Sequence, residues 1–581
     1  MIKVENLSYS FPQKELYNNI SFTLEEGQHC AFIGTSGTGK STLIDIIMNP
    51  ENYLFDGKLE TSPNCRIGYV SQFSQLDKTK DITVYEYIAE EFIQLQNKIT
   101  AICTEMETSS EIEVLLEQYQ QALDAFDAIG GDDFESMITK KLHLANLGKH
   151  ENLLVSKLSG GEFKLVQVIK EMLTAPELMI MDEPDVFLDF EHLNSLRNLI
   201  NSHKGMMLVI THNRYLLNHC FNKIIHLENT ALQEFDGRYM DYNFALLQNK
   251  IELQEQAAAD AEEIERNKAV VDKLRAAATY YTDASRGNAL NARVSLLKRL
   301  EARRTQGPFV EVQQPDINFV TDKPLEETTT ALKVNQYSLS FGEPLLENVT
   351  FEIGSTDKVA LIGPNGTGKT TLLRDIFKNN HPSIEVHEDI QMAFLSQLQG
   401  EMLNESNTIA DEFFDAGFPT FDEIRSHLLQ YGFEEDILNE KIGTLSGGEK
   451  NLLQLAKIAA SNANLLLLDE PTSHLDTYAQ IALETAIASY NGAVLMISHD
   501  YYSIVNCMDY VLFIEDKTIR KMSMRKFRKM IYANHFDKDY LELEQKKKEV
   551  ELKIALALKE NNYASAKVLS EELEALIKKL S

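Results

Sequence analysis

The 581-residue chain is short of several things, and each shortage removes a class of function. Its five cysteines (Cys30, Cys65, Cys103, Cys220 and Cys507) are scattered, with no Cys-x-x-Cys pair. That spacing offers neither a zinc clasp nor a disulfide framework, and it fits a reducing cytoplasm. No run of 18 or more apolar residues occurs, so no segment is expected to span a membrane alone. The opening MIKVENLSYSF has no basic n-region and no apolar h-region, so no secretory leader is expected there. Cations are scarce: 56 Lys and Arg face 88 Asp and Glu, a formal charge of −32. So acidic a total argues against general nucleic-acid binding.

One stretch reverses that balance. From Arg266 to Arg304 there are ten bases: Arg266, Lys268, Lys273, Arg275, Arg286, Arg293, Lys298, Arg299, Arg303 and Arg304. Three acids oppose them (Asp272, Asp283 and Glu301), so the block carries +7 and the remainder −39. A compact basic block in an acidic protein points to a polyanion met at one place. With 44% apolar and 25% charged residues, the rest reads as ordinary globular sequence, long enough for two or three domains.

Short alternating segments run from Ile2 to Gly34, and the last enters Gly34, Thr35, Ser36, Gly37, Thr38, Gly39, Lys40, Ser41 and Thr42. This fits GxxxxGK[ST] between a strand and an apolar-periodic helix, where about 0.02 chance matches are expected at ~7% Gly. Backbone N–H groups close round a β-phosphate, Lys40 reaches the β- and γ-phosphates, and Ser41 suits Mg²⁺. Gln72 ends the next apolar strand. Phe92, Leu95, Ile99, Ile102 and Met106 then step at helical spacing, as do Leu115, Tyr119, Ala122, Phe126 and Ile129. A helical hairpin with facing stripes follows. Its outer faces are acidic, so it either contacts protein or packs on its own domain. Further on, Leu158, Ser159, Gly160, Gly161 and Glu162 open an apolar helix, and LMIMDEP ends a strand at Asp182 and Glu183. Asp182 can hold Mg²⁺ through water, and Glu183 can polarise the attacking water. His212 ends another strand, within reach of a γ-phosphate.

The second half repeats the series: Gly363, Pro364, Asn365, Gly366, Thr367, Gly368, Lys369, Thr370 and Thr371; Gln397; Leu445, Ser446, Gly447, Gly448 and Glu449; Asp469 and Glu470; His499. In both copies the LSGGE leucine precedes the aspartate by 24 residues and the histidine by 54. The copies are offset by 329 at the P-loop and 325 at the glutamine, but by 287 from LSGGE onward. The first copy therefore carries about 38 extra residues where the helical hairpin lies, which marks that arm as an insertion.

P-loop, glutamine loop, LSGGE, Asp-Glu pair and switch histidine together resemble the ATP-binding cassette superfamily. Two cassettes on one chain, an arm in the first and a connector of about 80 residues between them resemble its ABC-F family. The resemblance implies an α/β fold: two P-loop cassette domains in tandem joined by a helical-hairpin linker, with an inserted α-helical arm and a short α-helical C-terminal extension. The expected boundaries are 1–245 (arm about 91–131), 246–325, 326–535 and 536–581. It further implies two composite ATP sites closed head to tail, Lys40 facing Ser446 and Lys369 facing Ser159. Gly160, Gly161, Gly447 and Gly448 would close over phosphate, and Phe11 and Phe341 would stack adenine. Glu183, Glu470, His212 and His499 would be catalytic. Ser41, Gln72, Asp182, Thr370, Gln397 and Asp469 would serve Mg²⁺.

The first copy departs from the family pattern. It reads Asp185-Val-Phe-Leu-Asp189 where the second keeps Thr472-Ser-His-Leu-Asp476, and Thr211-His212-Asn213 where Ser-His-Asp is usual. Ser36 replaces a common Asn, and in the second copy Tyr501 replaces a common Arg. Unequal turnover at the two sites is therefore expected. The connector starts near GRYMDY (237–242), is acidic and helical from Asn243 to Glu265, and basic from Arg266. A tip is expected near Tyr280–Asn291, a second helix from about Ala292 to Arg304, and a break at Gly307-Pro308. In the family such a connector reaches P-site tRNA. Lys273, Arg275, Arg286, Arg293, Lys298 and Arg299 would meet phosphates, and Tyr280 and Tyr281 would stack on bases. From about Phe536 the tail suggests a helical hairpin turning at Asn561-Asn562. Residues 541–581 hold eight bases and eight acids, which favours packing over RNA contact.

The implied protein is a cytoplasmic, Mg-ATP-dependent ATPase with the ribosome (rRNA, P-site tRNA and ribosomal proteins) as partner. It would be a monomer whose cassettes pair within the chain, serving translation or antibiotic resistance. The competing readings are an energising subunit of a membrane transporter and a DNA-associated ATPase.

Overall fold

Four apolar pentads build the centres of two similar sheets: Leu178–Asp182 and Met206–Ile210 in the first half, Leu465–Asp469 and Ala493–Ile497 in the second. Every residue in them is buried, as parallel strands covered on both faces require. The computed structural model describes all residues except 12–13, 63–64, 73–80, 108–111, 187, 281–292, 296–313, 322–324, 327, 397–399, 401, 435–436, 536–537 and 581. For 14, 274–280 and 532–542 it describes the backbone alone.

The first six-stranded sheet runs in the order Ile67–Val70, Leu178–Asp182, Met206–Ile210, His29–Ile33, Lys223–Glu228, Ala231–Asp236, the last strand antiparallel. The second repeats it as Met392–Leu395, Leu465–Asp469, Ala493–Ile497, Lys358–Ile362, Tyr510–Glu515, Thr518–Ser523. Each half adds a three-stranded antiparallel sheet, Lys14–Leu24, Ile2–Phe11, Asp56–Thr61 and its counterpart Glu343–Gly354, Thr330–Phe341, Ile384–Val386. Register pairs Asp182 with Ile210 and Asp469 with Ile497, so each acid sits at the carboxyl end of a central strand. That is where open α/β sheets bind ligands.

The arm consists of helices Glu90–Met106 and Ile112–Ala128. Ile102, Leu115 and Ala122 are buried between them, with Ile99, Met106 and Tyr119 alongside. Its root is pinned to the cassette: Phe92 stacks on Phe134 at 4.8 Å, and Glu90 and Glu91 pair with Lys170 (2.5 Å) and Arg66 (2.7 Å).

The chain divides into two compact units, Met1–Asp236 with Val312–Ile531 and Gly237–Glu311 with Tyr532–Ser581. In the second, one helix spans Tyr239–Tyr280. At 1.5 Å per residue its 42 residues extend about 63 Å. It begins inside the GRYMDY segment and continues through the acid-to-base transition. Helices Lys538–Lys559 and Tyr563–Leu580 form the tail hairpin. Met240 and Ile251 of the long helix pack with Val550, Ile554, Ala566 and Leu573 of that hairpin, and Lys567 bonds Glu255 at 2.5 Å.

Candidate functional site

Each P-loop leaves its sheet and turns sharply into a helix, Lys40–Met48 or Lys369–Lys378. The turn needs glycine: Gly39 and Gly368 lie at φ 94° and 88°. Gly34 is tighter still, since a Cβ there would stand 2.1 Å from the Leu227 carbonyl oxygen. Gly34→Ala is therefore expected to lower the melting temperature and abolish nucleotide binding at the first loop, measured by calorimetry and nucleotide titration. Lys40 Nζ donates to the carbonyls of Gly34 (2.9 Å) and Thr35 (2.8 Å), and Lys369 Nζ to those of Gly363 (2.8 Å) and Pro364 (2.9 Å). Burial lowers both lysine pKa values, against the pull of nearby carboxylates. Thr38 and Thr367 brace their loops at 2.8 and 2.9 Å, and Thr42 hydrogen-bonds Tyr17, whose hydroxyl donates to the Gly39 carbonyl at 2.5 Å. The loops differ at their second residue. Glu228 takes both the N–H (3.0 Å) and the hydroxyl (2.7 Å) of Thr35, whereas Pro364 offers neither donor.

The two halves meet head to tail. Ser36 Oγ donates to the His474 carbonyl at 3.3 Å. A Cβ on Gly448 would come within 2.4 Å of Ser36 Oγ, and one on Gly37 within 3.2 Å of a Glu449 oxygen. The first P-loop thus lies directly against the second LSGGE. On the other side, Gly160 and Gly161 line a cavity of about 640 Å³ together with Asn365, Gly366, Gly368, Lys369, Thr370, Thr371 and Phe341. Ser159 and Ser446 cap their helices through reciprocal bonds to Glu162 and Glu449. Ser-Gly-Gly-Glu is a capping box before it is anything else. The resulting helix N-termini present backbone N–H groups and a positive dipole end, which suits phosphate. Phe341 lines the cavity, and Phe11 packs edge-on to Tyr9 at 5.4 Å; both are exposed.

Glu183 and Glu470 both adopt a left-handed backbone, φ 46° and 49°, a strain that recurs at functional positions. Their surroundings differ. Glu183 Oε2 accepts from Gln72 Nε2 (2.5 Å) and from His474 Nδ1 (3.2 Å). Burial alone would raise its pKa, but the His474 bond and the charge of Lys40 work against it, and the carboxyl is held low. Among the described residues Glu470 accepts only a 3.3 Å bond from the His499 backbone N–H, and burial beside Asp469 pushes it up to about 8. His212 and His499 are pushed down to about 3 by burial and by Lys40 and Lys369 respectively, so both imidazoles are neutral. Ser41 hydrogen-bonds Asp182, itself raised by burial. Asp469 and Thr370 line the cavity. A hydroxyl beside a buried acid at each loop fits a Mg²⁺ that takes its remaining ligands from water and phosphate. Gln72 is directed to Glu183 rather than to Ser41. Gln397 lies outside the described residues.

The departures in the first copy explain one another. The Thr211 hydroxyl donates to Asp185 at 2.6 Å, so the unusual threonine satisfies the unusual aspartate. Asn213 caps the helix Arg214–Cys220, accepting from Tyr215 and Leu216. Arg214 stands at the repeat position of Tyr501 and crosses to the other half, where it meets Glu484 and Asp500, the latter at 2.9 Å. Sequence reasoning also missed Lys164, which donates to the Ser71 (2.5 Å) and Gln72 (3.3 Å) carbonyls from the first LSGGE helix. Its repeat counterpart Asn451 instead holds the Pro471 (3.1 Å) and Ser473 (2.7 Å) carbonyls. That mismatch, a lysine opposite an asparagine, was the only signal.

Among the connector bases, Lys273 and Arg293 are exposed, and Arg266 pairs with Glu262 one turn earlier. Arg275 and Tyr280 lie on the long helix, with side chains outside the described set. Tyr281, Arg286, Lys298 and Arg299 are outside the described residues.

A family model described as ABC transporter matches residues 17–186 and 346–473. The chain is 31% identical to an uncharacterized ABC transporter ATP-binding protein, YfmM, of Bacillus subtilis (strain 168) over 86% of this chain and 96% of that one. It is 27% identical to ABC transporter F family member 5 of Arabidopsis thaliana, over 89% of this chain and 75% of that one. The energy-dependent translational throttle protein EttA of Escherichia coli (strain K12) is 26% identical over 87% and 90%. A solved model of ribosome-bound archaeal Pelota and ABCE1 contains a chain with the same fold, with TM-score 0.54 and 16% identity over 92% of this chain and 80% of that one. No described helix is long and apolar enough to cross a membrane. Both halves match the cassette model and the relatives span both of them; the chain belongs to the ATP-binding cassette superfamily, in its ABC-F branch, and is an ATP hydrolase.

Proposed function

We propose that this ATPase acts in the cytoplasm on the ribosome, as a monomer whose two cassettes (1–245, with the arm, and 326–535) close on ATP. Closure directs the connector (246–325) toward P-site tRNA. Ser41 and Asp182, and Thr370 and Asp469, are the groups that would hold Mg²⁺, with Gln397 contributing and Gln72 doing so once turned away from Glu183. The ion supplies charge neutralisation on the phosphates. Glu183, and Glu470 in its ionised form, accept a proton from the attacking water, and the neutral His212 and His499 hydrogen-bond at the γ-phosphate end. Hydrolysis reopens the pair and releases the particle. Nucleotide can control binding this way only because closed and open forms differ in affinity for the ribosome. The protein then serves as a translation factor or as a ribosomal protection factor against antibiotics.

One observation carries this reading. A +7 block (266–304) begins on the same helix as the acidic segment before it, in a −32 protein, and Arg266, Lys268, Lys273 and Arg275 lie on that helix. The translational name of the Escherichia coli relative supports it. Purified ribosomes are expected to raise ATP turnover several-fold, and duplex DNA or lipid vesicles to leave it unchanged. Lys273→Gln with Arg293→Gln should weaken ribosome binding and lower the slope of log K against log [salt] by about 1.5. Stimulation by DNA or vesicles in place of ribosomes would refute the proposal.

A further inference from the structure

The loop after Asp469-Glu470 reaches across the cassette interface, and its histidine is not accounted for by the chemistry above. His474 touches four parts of the first composite site. Its Nδ1 lies 3.2 Å from Glu183 Oε2 and 3.3 Å from Gln72 Nε2. Its carbonyl takes the Ser36 hydroxyl of the first P-loop. Its ring lies against Gly447 of the second LSGGE, where an added Cβ would be 3.3 Å from His474 Cγ. Its backbone sits at φ 62°, in the left-handed region that few residues other than glycine adopt. A carboxylate accepts and never donates, so the proton of this contact is on Nδ1.

The repeat places Phe187 at the corresponding position of the first copy (474 − 287), and a phenyl ring carries no donor. Phe187 itself lies outside the described residues. Glu470 matches that expectation: its Oε1 has no hydrogen-bond partner among the described residues, and His499 Nε2 stands 3.6 Å away.

We propose that His474 is a positioning residue acting in trans, holding Glu183 in line for the attacking water, and that it makes the first composite site the faster of the two. The proposal rests on the roles given above to Glu183 and Glu470. His474 touches neither phosphate nor water in that scheme; it fixes the carboxylate that does. A misdirected base costs rate rather than affinity, so its loss should appear in kcat.

The test uses the full chain with one site silenced at a time. Glu470→Gln leaves the first site working, and Glu183→Gln the second. In the Glu470→Gln background, His474→Phe is expected to cut kcat at least tenfold with the KM for ATP within twofold. His474→Asn keeps a donor at the Nδ1 position and tolerates the left-handed backbone, so it should recover to within about threefold. In the Glu183→Gln background the loss from His474→Phe should be at least fivefold smaller. Equal losses in both backgrounds, an asparagine variant as slow as phenylalanine, or an effect confined to KM would overturn the proposal. Should Glu183→Gln and Glu470→Gln by themselves leave turnover intact, the glutamate roles fail, and His474 loses its part with them. Melting curves for the Phe and Asn variants separate misfolding from misplacement.

Discussion

Glu183→Gln combined with Glu470→Gln will lower ATP turnover by about a hundredfold or more while nucleotide still binds. Glutamine keeps the shape of each side chain but cannot accept a proton, and a positioned general base contributes about 10²–10⁴ in rate. Everything that grips phosphate stays: Lys40 and Lys369 in their carbonyl cradles, the glycines of both loops, the capped LSGGE helices. Phosphate release under saturating ATP, with equilibrium titration of a fluorescent nucleotide, checks both halves of the statement. Turnover within threefold of the parent would remove the two glutamates from the mechanism.

Arg214→Met carries the second large effect, on stability. Arg214 is a cation of the first cassette with its side chain only 11% exposed, set between the buried Glu484 and the half-buried Asp500 of the second. Burial works against its charge, but Asp500 and Glu484 outweigh that and keep it protonated at any usable pH. Methionine leaves both acids in the interface with, among the described residues, only Ser503 (3.0 Å to Glu484, 2.8 Å to Asp500) and Asn506 (2.7 Å to Glu484) as side-chain donors. Breaking a buried ion pair from one side costs about 3–5 kcal/mol. Adding Glu484→Gln and Asp500→Asn removes the stranded charges and should restore much of the loss. Urea unfolding of the three proteins measures this; equal midpoints for parent and Arg214→Met would show that the cluster contributes nothing.

Much of the site was legible because phosphate chemistry constrains residue type and spacing locally. A loop that wraps an anion needs glycine at Gly39, and a strand that delivers an acid must end at Asp182. The arm was legible from periodicity, since Ile102, Leu115 and Ala122 repeat at helical spacing and meet. What escaped was chemistry between distant segments. Arg214 and Asp500 are 286 residues apart, and Glu183 and His474 are 291 apart. Nothing local distinguishes such partners from ordinary surface residues. Asp185 and Thr211 looked like independent departures and proved to be one hydrogen bond. The start of the connector helix was missed for a different reason: Tyr239–Tyr242 carries large aromatic residues that suit strand and helix alike, and the tail hairpin packing on Met240 decides the matter.

The central claim is that ATP, through closure of the cassettes, places the basic connector on a ribosome. Co-sedimentation of the Glu183→Gln/Glu470→Gln protein with ribosomes, in ATP and in ADP at moderate salt, tests it most directly. The account predicts retention with ATP, release with ADP, and loss of retention when Lys273, Arg275, Arg286, Arg293, Lys298 and Arg299 are replaced by glutamine. Equal sedimentation in both nucleotides, or retention that survives the neutralised connector, would contradict it.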